Sequence, residues 1–103
     1  RFLDRVLTAA EREFCDRQHD PIPHVAARFA AKEAALKALG TGLAAGIRWT
    51  DLEVERRENG APLLRMRGEA ERIAQERGAG SAYVSLTHDR HSAAAVVVLE
   101  GGP

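Results

Sequence analysis

The stretch 51-DLEVERRENGAPLLRMRG-68 is where the chain changes its period, and that change decides the fold. Leu52, Val54 and Arg56 alternate with Asp51, Glu53 and Glu55, which is the pattern of a half-exposed strand. Asn59-Gly60 is a hairpin signal, and PLLRMRG is the returning strand. Toward the N-terminus the period is helical. Phe2, Leu3, Val6 and Leu7 read as the tail of a longer helix. Thr8-Ala-Ala-Glu11 is a capping box that opens a second helix. That helix is expected to run to about Gln18 and stop at HDPIP, where two prolines disfavour continuation. A long helix is expected from about His24 to Leu39, with Gly40 suited to the left-handed position that ends it. Toward the C-terminus, EAERIAQERG is a short amphipathic helix closed by Gly78. SAYVSLTH and SAAAVVVLE follow as a strand pair, the second apolar throughout and expected to be buried on both faces. Helices, hairpin, helix, hairpin is the order of an α+β fold, an antiparallel sheet packed against a long helix, with residues 1–103 forming one domain.

Bulk properties narrow the function classes. The 103 residues are 45% hydrophobic and 29% charged, an ordinary globular balance. Formal net charge is zero, so the total gives no argument for nucleic acid or a membrane surface. No apolar run reaches the length of a membrane span, and no signal peptide is visible. Cys15 is the single cysteine and cannot form an internal disulfide, so a reducing cytoplasm is the expected setting.

The chemistry concentrates in 28-RFAAKEAALKALGTG-42, which holds both lysines of the chain, Lys32 and Lys37, around Glu33. At about 100° per residue, Val25, Phe29 and Leu36 share a face and Glu33 projects beside them. Two readings stand. Glu33 and Lys37 can form a surface i,i+4 ion pair worth a few tenths of a kcal/mol. Alternatively, a partly enclosed carboxylate binds a hard cation while the ammonium holds phosphate oxygens, and Gly40-Thr41-Gly42 lets backbone approach an anion. A second constellation is 84-VSLTHD-89, where His88 ends a strand between hydroxyl-bearing neighbours; a strand-end histidine is commonly structural. Spacing alone names no reaction.

In order along the chain, RFLDRVLT..E, RFAAKEAALKALGTG, W.DLEV, NGAP and VSLTHD resemble the holo-[acyl-carrier-protein] synthases, the small single-domain type of 4′-phosphopantetheinyl transferase. The most specific element is Phe29-x-x-Lys32-Glu33-Ala34-x-x-Lys37, which matches the signature helix of that family. The resemblance implies an enzyme that transfers the 4′-phosphopantetheine arm of coenzyme A to a serine of apo-acyl carrier protein, releasing adenosine 3′,5′-bisphosphate, in fatty-acid or related lipid metabolism. It implies that Glu33 is a Mg2+ ligand and catalytic residue, and that Lys37 contacts the coenzyme phosphates, with Lys32 helping. It further implies that Gly40, Thr41 and Gly42 lie near the nucleotide, and that Thr87 and His88 lie beside the bound coenzyme. Arg1 and Arg5 are the implied contacts to the acidic carrier protein, and the assembly is a homotrimer with sites between subunits. The family's first strand carries a Gly-x-Asp whose aspartate is a second metal ligand. No residue precedes Arg1 here, so that strand is expected upstream, and residues from Arg1 onward are expected to be inactive without it. A second reading is a scaffold that holds coenzyme A on the same fold without turnover.

Overall fold

A computed structural model describes residues 2–43, 45–88 and 92–101, with backbone alone at residues 80 and 81. Arg1, an expected carrier contact, lies outside the described residues.

The first helix, α1 (Phe2–Val6), leads directly into the capping box of α2 (Ala9–Asp16). The Thr8 hydroxyl accepts from the Glu11 N–H at 3.2 Å, and Glu11 Oε1 accepts from the Thr8 N–H at 2.8 Å. Helix α2 ends two residues before Gln18, and α3 (Pro21–Leu39) begins three residues before His24. The two prolines therefore start the long helix as well as ending the previous one. A proline in the first helical turn costs nothing, because the N–H it lacks has no intrahelical acceptor there. Asp20 caps this end, its Oδ1 accepting from the Ile22 N–H at 3.2 Å.

At the other end Gly40 takes φ +80°, and its N–H reaches back to the carbonyls of Leu36 and Lys37, each at 3.0 Å. A loop and a 3₁₀ turn (Trp49–Asp51) lead to the antiparallel pair β1 (Leu52–Arg56) and β2 (Pro62–Met66), in register from Leu52↔Met66 to Arg56↔Pro62. The hairpin forms at Asn59-Gly60 through a longer loop than a two-residue turn. Gly60 alone takes positive φ there (+86°), its N–H donating to Arg57 O while Arg57 N–H donates to Ala61 O, both at 2.8 Å. Helix α4 (Gly68–Glu76) connects to the second antiparallel pair, β3 (Ala79–His88) and β4 (Ala93–Gly101).

Ala31, Ala35, Leu36 and Leu39 of α3 form one core with Ile47, Leu52, Val54, Leu64, Ala70, Ile73 and Ala74. Ala82, Val84 and Leu86 of β3 and Ala95, Val97 and Leu99 of β4 close over it. The alanines of α3 let the β3–β4 hairpin lie close along the helix, while full burial of a side chain such as Leu39 is worth about 2 kcal/mol.

Strand β4 is not covered on both faces within the chain: its burial alternates, and Val96 and Val98 are 61% and 50% exposed. Apolar alternate positions do not reveal whether one chain supplies both layers of cover. Among the described residues no helix is long and apolar enough to cross a membrane.

Candidate active site

Helix α3 divides its neighbouring charges between inside and outside. Glu33 and Lys37 are exposed, and no side-chain hydrogen bond or ion pair joins either of them to a described residue. The surface-pair reading therefore has no support in the geometry. An unpaired carboxylate and an unpaired ammonium stand one turn apart, about 6 Å along the axis, both free to take ligands. Glu33 is also more open than the sequence suggested, because Phe29 turns to an aromatic row. The rings of Phe29 and Trp49 lie 5.1 Å apart and those of Phe2 and Phe29 5.7 Å apart. Beyond Lys37 the helix runs into Gly40, Thr41 and Gly42, where the Thr41 hydroxyl donates to Gly42 O at 3.0 Å and Gly42 takes φ +58°. Arg77 donates to the carbonyl of Leu39 and so closes the last turn.

Lys32, expected to help hold phosphates, points the other way. It is fully buried, and its ammonium donates to Val6 O at 2.5 Å, Glu11 Oε1 at 2.7 Å and Trp49 O at 3.2 Å. Three donors meet three acceptors, leaving none for a ligand. Adjacent residues of a helix are about 100° apart, so one faces in when the other faces out. Burial pulls the Lys32 pKa down, while the charge and hydrogen bond of Glu11 oppose that pull. The buried network continues: Glu11 Oε2 accepts from Val54 N–H at 2.7 Å, Thr8 donates to Glu53 at 2.5 Å, and Arg67 donates to Glu53 at 2.6 Å.

His88 ends β3, as expected, and is exposed, next to exposed Thr87. Its ring meets His24 of α3 at 4.9 Å between centroids, and His24 in turn meets Phe14 at 5.7 Å. Arg28 lies over the Phe14 ring at 4.3 Å and Arg56 at 5.6 Å. Arg28 is 1% exposed, has no carboxylate partner among the described residues, and leaves its Nε without a hydrogen bond. Burial, then the positive charge of His88, Arg28 and Arg56, hold His24 below the ordinary histidine range. Among the described residues, this corner gathers His24, His88, Arg28 and Arg56, with Asp20 and Glu11 acting on His24 and Arg28 only as the smallest of the opposing charges. A groove of about 380 Å³ opens beside it, lined by Arg56, Pro62 and the run from Val84 to His88. His24, Arg28 and Arg56 were not singled out from the sequence. The i,i+4 spacing of His24 and Arg28 was visible, but only the tertiary fold brings His88 and Arg56 to them. Along α3 this corner sits about 14 Å from Glu33.

On the other side of the aromatic row, Asp4, Arg5, Leu43, Ile47, Arg48, Trp49 and Thr50 line a groove of about 430 Å³. Phe2 and Leu43 are large apolar side chains left exposed at this end. Asp4 is engaged by Arg12 at 2.9 Å, whereas Arg5 and Arg48 make no ion pair among the described residues. The groove thus combines apolar floor with free positive charge.

Comparison with known proteins places this geometry in a family. The family model described as the 4′-phosphopantetheinyl transferase superfamily matches residues 1–97. A holo-[acyl-carrier-protein] synthase of Syntrophotalea carbinolica is 52% identical over 99 residues, covering 96% of this chain and 77% of its own. That of Anaeromyxobacter dehalogenans is 52% identical over 104 residues, covering all of this chain and 79% of its own. Among solved structures, the Neisseria meningitidis holo-[acyl-carrier-protein] synthase superposes with TM-score 0.86 at 28% identity, over 96% of this chain and 79% of its own. The Helicobacter pylori enzyme in complex with coenzyme A superposes with TM-score 0.81 at 29% identity, over 96% of this chain and 81% of its own.

Proposed function

This chain belongs to the 4′-phosphopantetheinyl transferase superfamily, and we infer that it is a holo-[acyl-carrier-protein] synthase. It transfers the 4′-phosphopantetheine arm of coenzyme A to a serine of apo-acyl carrier protein. The serine oxygen forms a bond to the phosphorus that bears the pantetheine arm. The bond from that phosphorus to the bridging oxygen breaks, adenosine 3′,5′-bisphosphate leaves with the electron pair, and the serine proton is lost. The observation that carries this reading is the exposed, unpaired Glu33 and Lys37 on a family-matching helix. A scaffold that only held coenzyme A would have no use for that carboxylate, so the transferase is favoured.

Each chain residue has a physical task. Lys37 offers a mobile point charge to the phosphate oxygens on which charge develops, where a donor is worth most. Gly42 and Thr41, at the end of the same helix, leave backbone accessible near that charge. The groove lined by His88, Arg56 and Thr87 receives the nucleotide end, with buried Arg28 adding positive charge from behind. Arg5 and Arg48 flank the apolar groove in which the acidic carrier protein docks; attraction between such charges speeds and orients encounter.

Glu33 fits a hard divalent ion such as magnesium, which takes carboxylate, phosphate and water oxygens. Among the described residues no group of three or more His, Cys, Asp or Glu is gathered to hold a metal, so Glu33 would share the ion with substrate phosphate and water. When bound, such an ion supplies charge neutralisation at the pyrophosphate.

The outer face of the β3–β4 hairpin supports a trimer. Tyr83↔Val98 and Ser85↔Val96 are cross-strand pairs on that face, and Tyr83, Val96 and Val98 are 53%, 61% and 50% exposed. Burying this face between subunits gives the apolar strand its second layer and brings residues of two chains to one coenzyme. The experiment for the whole reading is magnesium-dependent conversion of apo-carrier protein by the full protein, followed by intact mass. Modification of the carrier serine supports it, and coenzyme A binding without modification would support the scaffold.

A further inference from the structure

Lys32 has no ligand to hold, yet it stands next to the residue that does. We propose that Lys32 is a positioning residue, whose buried ammonium fixes the carrier-docking wall against the helix that presents Glu33 and Lys37. This rests on the transferase reading above.

The ammonium binds three separate segments at once. Val6 O belongs to the C-terminal end of α1, Glu11 to the first turn of α2, and Trp49 O to the 3₁₀ turn before β1. Two of these segments build the apolar groove: α1 contributes Asp4 and Arg5, and the turn contributes Trp49 and Thr50, with Arg48 just before it. The third carries the bond onward, since Glu11 also fixes the Val54 N–H. The carbonyl of Val6 lies in the last turn of α1, where helix carbonyls lack intrahelical partners, so Lys32 is the group that satisfies it. All three bonds converge on one turn of α3, the turn on whose opposite side Glu33 projects.

The consequence is geometric. A carrier docked on α1 and the Trp49 turn presents its serine to a reaction centre on α3, and Lys32 sets the distance between the two. Misplacement of reacting groups by about an ångström can cost on the order of a hundredfold in rate. By contrast, Lys32 bonds to none of the residues that line the groove at His88. Its loss should therefore separate two properties that a general loss of fold would damage together: carrier use fails, and coenzyme binding survives.

The test uses the full protein with Lys32→Met, Lys32→Gln and Glu11→Gln. Coenzyme A affinity is measured by calorimetry, and steady-state transfer is measured with carrier protein varied, both well below each variant's unfolding temperature. Lys32→Met should raise KM for the carrier at least tenfold and lower kcat at least tenfold, with coenzyme A Kd within twofold of wild type. Lys32→Gln, which keeps a shorter, uncharged amide with two donors, should fall between, and it carries the test if the methionine variant does not fold. Glu11→Gln leaves the two carbonyl bonds in place and should hold the carrier KM within threefold. Carrier kinetics within threefold of wild type in a folded Lys32 variant would overturn the proposal. So would a coenzyme Kd that weakens in parallel, or a Glu11→Gln effect as large as that of Lys32→Met. Absence of transfer by the wild-type protein would instead overturn the transferase reading itself.

Discussion

Gly40→Ala should loosen the end of the helix that carries Lys37, and its cost can be worked from two observations. Gly40 sits at φ +80°, where an L-residue with a Cβ is strained by about 1–2 kcal/mol. A Cβ built there would lie 2.9 Å from Arg77 Nη1, the group that donates to Leu39 O. The guanidinium must move, and at this partly exposed site the lost bond costs about 1 kcal/mol. The sum is about 2–3 kcal/mol, or a midpoint of thermal unfolding lower by roughly 10–20 °C for a domain of this size. Urea unfolding followed by Trp49 fluorescence gives the free energy directly. A double-mutant cycle with Arg77→Ala then separates the two terms. In the alanine background Gly40→Ala should cost only its conformational share, leaving a coupling of about 1 kcal/mol. A total cost under about 0.5 kcal/mol, or strict additivity in the cycle, would refute the reasoning.

Three further outcomes are expected. Lys37→Ala should lower transfer by about a hundredfold or more with stability within about 0.5 kcal/mol of wild type, because the side chain is exposed and unpaired. Lys37→Arg should recover only part of the rate, since a planar fork replaces a point charge; normal turnover in the alanine variant would remove Lys37 from the site. Val96→Asp should convert the assembly to monomers in equilibrium sedimentation, and a wild-type protein that is a stable monomer at micromolar concentration would contradict the trimer. Acid should destabilise the fold partly through Glu53. Burial works to raise its pKa, but hydrogen bonds from Thr8 and Arg67 outweigh burial and hold it below the ordinary value of 4.5. A carboxyl depressed in the folded state contributes stability that is full above the unfolded pKa and is lost as pH falls through the folded one. The urea midpoint should therefore fall below about pH 4.5, less steeply in Glu53→Gln; equal slopes would refute it.

The elements that sequence reveals here are those set by local rules. The Thr8–Glu11 box, the left-handed Gly40 and the alternation of Leu52, Val54 and Arg56 each depend on residues within a few positions. The start of α3 was misplaced because Pro21 and Pro23 were read only as breakers, whereas a first turn accepts them. The inward turn of Lys32 was not legible. Helix α3 is so rich in alanine that no face stands out as apolar, and the acceptors for its ammonium lie 17 to 26 residues away. Strand β4 shows a related limit: Ala94, Val96 and Val98 are as apolar as their partly buried neighbours, and sequence does not say which chain covers them. Glu33 and Lys37 were identified by resemblance, and the structure adds that neither is tied to the other. The corner of His24, His88, Arg28 and Arg56 needed the tertiary fold, since α3, β1 and β3 each supply part of it.

The central claim is that Glu33, held outward and unpaired, serves the transfer of phosphopantetheine rather than the stability of the helix. Glu33→Gln keeps the size and helix compatibility of the side chain while removing its charge. Intact mass of apo-carrier protein after incubation with coenzyme A and magnesium reads the reaction directly, with urea unfolding run on the same samples. The account predicts full modification of the carrier serine by wild type, and transfer by Glu33→Gln reduced by about a thousandfold at unchanged unfolding midpoint. Wild-type-like modification by Glu33→Gln would contradict it.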